Sequence, residues 1–378
     1  MNKIKLKKSF NTTFQQFIYT DGNSLNYDFV DLALQCKTLT FDKRFLNPAL
    51  KILIDTPFKE IKWATSEQIC NKNYLYLLNN QPEYKNQFYY YLGELWNALK
   101  EFIIDIWDSE GKYLILHSSG YDSRIISSVL AELRDEGMEM GHIYFRCHQS
   151  ECENFFKIMK IEGWQKDQYS CFYSSNEDHY NLGVPHISTN GFLGYFQQMN
   201  FWSDIIPEHE EKNWYLVNGW EGAYFKYIAM GNSNDNKINC FKNYQINPQH
   251  YWMWQGQWIT RFKDMIQPFC SYKYLNIVMK IKYKWCKQIS TTSDNIRIEL
   301  LKLFNYDLSE IPRGMHNYNL KISKKRKKEM LNLYYNSEFY KISKIKINLF
   351  EDMFGWDARL WGFAVTVYEK IYKKIHEL

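Results

Sequence analysis

Apolar positions change their spacing along this chain, and the changes mark its elements. Between residues 86 and 108, Phe88, Tyr91, Leu92, Leu95, Trp96, Leu99, Phe102, Ile103 and Ile106 recur every three or four positions. That spacing predicts one helix with a wide apolar face. Tyr113-Leu114-Ile115-Leu116 is then an unbroken apolar run, the pattern of a buried strand. A polar loop follows, Ser118-Ser119-Gly120-Tyr121-Asp122-Ser123. After it Ile125, Ile126, Val129, Leu130 and Leu133 return to helical spacing, with Gly137 as a stop. Strand and helix patterns alternate from there to about residue 230: strands at 142–146, 170–173 and 214–217, and a helix at 153–161. Strands separated by helices predict a parallel sheet, whose ligands sit at the carboxyl ends of the strands. Residues 1–80 carry short alternations (13–19, 51–54, 60–63) and turns at Asp21-Gly22 and Thr56-Pro57, which predict a small β-containing lead-in. Beyond about 240 the pattern is mainly helical, at 242–259, 272–285, 296–304 and 356–375. The expected fold is α/β, with a parallel-sheet core, a small N-terminal β region and a mainly helical C-terminal part.

A loop between a strand and a helix points backbone N–H groups and the positive end of the helix dipole at its occupant. It is an anion site, and pyrophosphate suits it. The flanking Ser118 and Ser123 add hydroxyl donors, and Asp122 is placed to hold a cation such as Mg²⁺ against the phosphates. The Gly-Lys-Ser/Thr ending of a Walker loop does not occur.

Composition narrows the class. The 378 residues suffice for one large or two medium domains. A net charge of +5 does not demand nucleic acid. The basic stretch Lys-Ile-Ser-Lys-Lys-Arg-Lys-Lys at 321–328 is the local exception, either a solvated face or a phosphate or nucleic-acid contact. The cysteines lack a Cys-x-x-Cys pair, the first residues lack a secretory pattern, and no stretch of about 18 apolar residues spans a membrane. The economical expectation is a reduced, cytoplasmic protein that does not enter a membrane. Cys147, His148 and Cys152 are close in sequence, but without a second ligand pair they do not make a zinc motif. Tyr251-Trp252-Met253-Trp254 with Trp258 is a dense aromatic patch, either core or the lining of an acceptor pocket.

Ser-Ser-Gly-Tyr-Asp-Ser resembles the Ser-Gly-Gly-x-Asp-Ser loop of the ATP-pyrophosphatase (PP-loop) enzymes, and more narrowly the synthetase domain of glutamine-hydrolysing asparagine synthetases. Five of its six positions fit that loop; Ser119 stands where the family has its first glycine. After the 214–217 strand, Asn218-Gly219-Trp220-Glu221-Gly222-Ala223-Tyr224-Phe225 is similar to the family's second glycine-rich loop, Gly-x-Gly-Gly-Asp-Glu-Leu-Phe. Gly219 and Gly222 match family glycines, while Ala223 and Tyr224 replace the Asp-Glu pair. Glu221 either stands in for the missing metal-holding aspartate or is an exposed loop carboxylate. The segments from Ile266 to Leu275 and from Asn295 to Arg313 resemble the family's later helices. The resemblance covers about residues 85–340, leaving 1–84 as a lead-in and 341–378 as a C-terminal helix.

The resemblance implies an adenine nucleotide alpha hydrolase-like core and an AMP-forming carbon–nitrogen ligase that uses ATP and Mg²⁺. It implies that Ser118, Ser119, Gly120, Tyr121, Asp122 and Ser123, with Gly219, Glu221 and Gly222, hold the nucleotide phosphates. Backbone groups of Leu116 and of Phe145 or its neighbours would read the adenine edge, and Asp122 and Glu221 would hold the metal. Arg124 either reaches a phosphate or substrate carboxylate, or makes a surface ion pair. Arg297, Arg313 and Lys321 are the later cations that could meet the phosphates. Glu153 has either a substrate role or a helix-capping one. The family's glutaminase needs an N-terminal cysteine, and position 2 is Asn2. The substrates implied are a small-molecule carboxylate and an amine or ammonia, the latter supplied freely or by a separate glutaminase. Two alternatives stand beside the ligase: a PP-loop nucleobase-modifying enzyme, and a nucleotide-binding protein without catalysis.

Overall fold

The computed structural model describes residues 19–26, 29–46, 56–63, 88–148, 151–172, 202, 204–219, 262–281, 295–313, 324–347, 360–361, 363–372 and 375–377. The lead-in begins with β1 (Tyr19–Thr20) and β2 (Leu25–Asn26), then α1 (Phe29–Gln35), β3 (Leu39–Thr40) and β4 (Lys62–Trp63). β1 pairs antiparallel with both β2 and β4. The β1–β2 turn falls at the Asp21-Gly22 pair, where Gly22 takes φ +91°. There Asp21 Oδ1 accepts the N–H groups of Asn23 and Ser24 at 2.9 and 2.7 Å.

The central element is a parallel sheet of five strands in the order β7-β6-β5-β8-β9. Helix α2 (Phe88–Ile106) leads into β5 (Lys112–Leu116), followed by α3 (Tyr121–Asp135), β6 (His142–His148), α4 (Cys152–Ile161) and β7 (Tyr169–Phe172). The chain then crosses back to β8 (Trp214–Asn218) and β9 (Asp264–Ile266) on the other side of β5. Leu116 therefore stands between Arg146 of β6 and Asn218 of β8. Successive strands depart from β5 in opposite directions, so the carboxyl ends of β5 and β8 form the topological switch point, where such sheets bind ligands.

Alternation along the strands fills both faces. Tyr113, Ile115, Ile143, Phe145, Tyr215 and Val217 join the core beneath α2, α3 and α4. Helices α5 (Tyr272–Lys280) and α6 (Asn295–Phe304) contribute to that same core through Leu275, Val278, Leu300 and Leu301. Leu114, Leu116, Trp214 and Leu216 point the other way, onto Trp202, Ile206 and Phe262. Ser271 caps α5, accepting the Tyr274 N–H at 3.2 Å.

A second core joins the two ends of the chain. Tyr19, Phe29, Leu39, Phe41, Phe58 and Ile61 pack with Met330 and Tyr334 of α8 (Lys324–Asn336) and Phe339 of α9 (Glu338–Ser343). Between α6 and α8 lies the short α7 (Tyr306–Ser309). Thus Met330, Tyr334 and Phe339, expected within the synthetase-like region, share a core with the lead-in. The expected 356–375 helix has a different form in its described part. A π-helical turn (Phe363–Tyr368) runs into α10 (Glu369–Ile371), and β10 (Ile375–Glu377) then pairs parallel with β3. Ile375 is thus a strand residue because Leu39 offers it an edge. Strand β9 was not expected either, and the helix expected to reach 285 is described to Lys280. The alternation at 51–54 and the helix at 242–259 lie outside the described residues.

The first residue of α4, Cys152, forms a disulfide with Cys171 of β7, with Cα atoms 6.0 Å apart. This differs from the expectation of a reduced protein. Among the described residues no helix is long and apolar enough to cross a membrane, and no group of three His, Cys, Asp or Glu side chains is arranged to hold a metal ion.

Candidate anion site at the switch point

The loop after β5 is shaped by two hydroxyls and one glycine. Ser118 N–H donates to Ser123 Oγ at 3.2 Å, the two hydroxyls lie 3.3 Å apart, and Ser123 Oγ donates to Gly120 O at 3.1 Å. Gly120 is the N-cap of α3 in an extended conformation. The first intrahelical bond runs from Arg124 N–H to Gly120 O at 3.0 Å. The first-turn N–H groups of Tyr121, Asp122 and Ser123 therefore precede the helical ladder, at the positive end of a fifteen-residue helix. Ser118, Tyr121 and Asp122 are half-buried, while Gly120 and Ser123 are buried.

The end of β8 closes on this loop. A Cβ placed on Gly219 would lie 2.7 Å from Asp122 C, 2.7 Å from Ser123 N and 2.9 Å from Asp122 O. Only glycine permits that approach of backbone to backbone. Gly219 and the loop are thus brought together. Glu221 and Gly222 lie outside the described residues, as do Lys321 and the aromatic patch at 251–258.

Arg297 reaches the site from α6. Its Nη1 donates to both Asp122 oxygens at 2.6 Å. The pair is largely shielded, with side chains 13% and 26% exposed. Tyr274 of α5 lies beneath it. Burial raises its phenol well above the ordinary value, the Asp122 charge adds to the rise, and Arg297 opposes it.

Arg124 has a different place from either one expected. It is fully buried. Its Nη1 donates to Leu308 O and Ile311 O at 2.7 Å each, and its Nη2 to Ser119 O at 2.7 Å and Pro312 O at 3.4 Å. The guanidinium also lies 5.0 Å from the Tyr121 ring centre. Burial lowers its pKa to about 10, which leaves it charged at neutral pH. Arg124 thus ties the loop to the Ile-Pro turn after α7 and does not face the loop's mouth.

Leu116 ends β5, with its side chain on the Trp202 face. Phe145 is opposite Ile115, inside the sheet rather than at its carboxyl edge, and its ring packs on Trp164 at 4.6 Å. Its side chain is core. Arg313 is exposed, and Glu153, also exposed, pairs with Lys157 at 2.7 Å along α4.

Behind the loop lies a buried chain of polar groups that no motif announced. His117, between β5 and Ser118, accepts the Ser119 N–H on Nδ1 at 3.1 Å. Its Nε2 is 3.2 Å from Ser127 Oγ, which donates to Glu162 Oε1 at 2.7 Å. Ser128 Oγ and Trp164 Nε1 also donate to Glu162, at 3.0 and 2.9 Å. Burial, reinforced by the Arg124 charge, lowers the His117 pKa to about 3. Burial raises that of Glu162 to about 7, against the hydrogen bonds that favour its ionised form. The one sequence signal was a polar residue, His117, directly after an apolar run.

For the groups the resemblance implies, the observations differ. The Gly219 cradle and the first turn of α3 suit a pyrophosphate. The described residues do not by themselves suit Mg²⁺: Asp122 is the carboxylate at the loop, and both its oxygens are engaged by Arg297. No protein-family model matches the chain, and no curated protein matches its sequence.

Proposed function

We propose that this protein binds ATP with its pyrophosphate in the 118–123 loop and is an AMP-forming ligase that activates a carboxylate. The observation that carries the reading is the approach of Gly219 to the Asp122–Ser123 backbone at the switch point. It supports a two-loop phosphate cradle of the kind the sequence resemblance implies. In the reaction, a carboxylate oxygen bonds to the α-phosphorus, the bond to the β-phosphate oxygen breaks, and pyrophosphate leaves. An amine or ammonia then attacks the acyl carbon, loses a proton, and AMP departs. Negative charge grows on the leaving pyrophosphate, which fixed donors stabilise best. Those donors are the first-turn N–H groups of α3, the Ser118 hydroxyl, and Arg297 if it turns from Asp122 to the phosphates.

The engagement of Asp122 by Arg297 supports a second reading, a nucleotide-binding protein without catalysis. One experiment separates the two. AMP and pyrophosphate release from ATP–Mg²⁺ is followed with the purified protein over a panel of carboxylates and amines, beside Asp122→Asn. Carboxylate-dependent release that is lost in the variant supports the ligase. ATP binding without release across the panel supports the second reading, and absence of ATP binding rejects both.

A further inference from the structure

Ser119 is one of two described non-glycine residues with a left-handed backbone, at φ +46°. For a residue with a Cβ that conformation is disfavoured, and it persists only where the surroundings impose it. Both of its peptide groups are held from inside the protein. The N–H donates to His117 Nδ1 at 3.1 Å, and the C=O accepts from Arg124 Nη2 at 2.7 Å. The Ser119 hydroxyl is buried with no hydrogen-bond partner among the described residues, so it does not explain the conformation. The acceptor role of Nδ1 leaves the proton of the neutral imidazole on Nε2, which donates to Ser127 Oγ. Ser127 in turn is fixed by Glu162. The groups facing His117 are therefore Ser119 from the loop, Ser127 and the Arg124 charge from α3, and the Phe155 ring from α4 at 5.2 Å.

We propose that His117 is a positioning residue whose Nδ1 holds Ser119 in the left-handed turn and so sets the loop for its anion. In effect a buried imidazole does here what a glycine would do without help. The part played by the anion rests on the function proposed above.

Two near-isosteric variants test it, because their amide oxygens reach different places. In His117→Asn the oxygen falls close to the Nδ1 position, and in His117→Gln close to Nε2. Binding of inorganic pyrophosphate is measured by titration calorimetry, and stability by urea unfolding, for both variants, for Ser119→Gly, and for each combination. H117N is expected to bind within about threefold of the unmodified protein. H117Q should bind about tenfold more weakly, the scale of one residue's left-handed cost. Adding Ser119→Gly to H117Q should restore most of that loss, because glycine does not need the clamp. A role in core packing alone would move both variants together and give no rescue, and either result overturns the proposal. If the unmodified protein itself binds no pyrophosphate, the anion reading falls. The unfolding cycle then decides the clamp alone: coupling between positions 117 and 119 sustains it, and additivity overturns it.

Discussion

Glu162 accepts hydrogen bonds from Ser127, Ser128 and Trp164, yet burial outweighs them and lifts its pKa from 4.5 to about 7. The folded protein therefore holds a proton there that the unfolded chain releases. The stability this contributes is complete below pH 4.5 and is lost as pH rises through 7. His117 acts in the opposite sense, depressed from 6.5 to about 3 by burial and the Arg124 charge. Its contribution is complete above pH 6.5 and is lost as pH falls towards 3. Between pH 4.5 and 6.5 the two slopes oppose each other, and the pair masks its own titration. Glu162→Gln removes one slope. The stability of that variant relative to the unmodified protein should rise by up to about 3 kcal/mol from pH 4.5 to 7. Replacing His117 should give a relative stability that falls as pH rises from 3 to 6.5. Urea unfolding at intervals of pH checks both, and a flat difference for Glu162→Gln would show that the carboxyl does not titrate in this window. None of this was legible in the sequence. An isolated histidine and an isolated glutamate carry no motif, and their link passes through a serine ten positions from one and thirty-five from the other. The same holds for Arg124, whose carbonyl partners lie 184 and 187 positions away.

Where the end of β8 meets the start of α3, two elements share a space that accommodates a hydrogen atom and not a methyl group. Gly219→Ala would place its Cβ against the Asp122 and Ser123 backbone at 2.7 Å, and peptide groups cannot swing aside as a flexible side chain can. The helix start must shift or the strand end must open. The substitution is expected to cost about 1–3 kcal/mol of stability. On the function proposed above it should also weaken ATP binding more than that loss alone explains, because the displaced groups are the first-turn N–H groups assigned there to the phosphates. Thermal unfolding and ATP titration of one preparation distinguish this from a simple packing defect, which would lower stability and leave affinity unchanged. The loop and its strand were legible because they combine an apolar run, a Ser/Gly turn and a helical period in immediate succession. Strands β6, β7 and β8 were legible for similar reasons. Strand β9 was not: Asp264-Met265-Ile266 is three residues long, too short for a period to register, and its identity as a strand depends on lying beside Tyr215–Val217. Strand β10 was hidden because Ile375 continues the helical spacing of the residues before it.

Phe363 shows how the ends of the chain become one core. Its ring centre lies 5.6 Å from Phe41, 5.5 Å from Phe45 and 5.9 Å from Phe58, all in the lead-in. It also lies 5.4 Å from Phe339 of α9 and 5.8 Å from Tyr368. Five aromatic neighbours from three parts of the chain converge on one buried side chain. The sequence displayed aromatic residues at both ends, but no spacing rule can pair segments separated by the whole central sheet. Truncation by Phe363→Ala removes the shared ring and leaves a cavity among the segments that meet on it, at an expected cost of about 3–5 kcal/mol. The consequence should appear at both ends together. Amide exchange in α1 and β3 should accelerate as much as in α8 and α9, because all four lose the same support. The β5–α3 region is packed in a separate apolar cluster, so its protection should fall less. Exchange confined to α8 and α9 would mean that the lead-in holds its structure without the C-terminal helices, and that the second core is not a single cooperative unit.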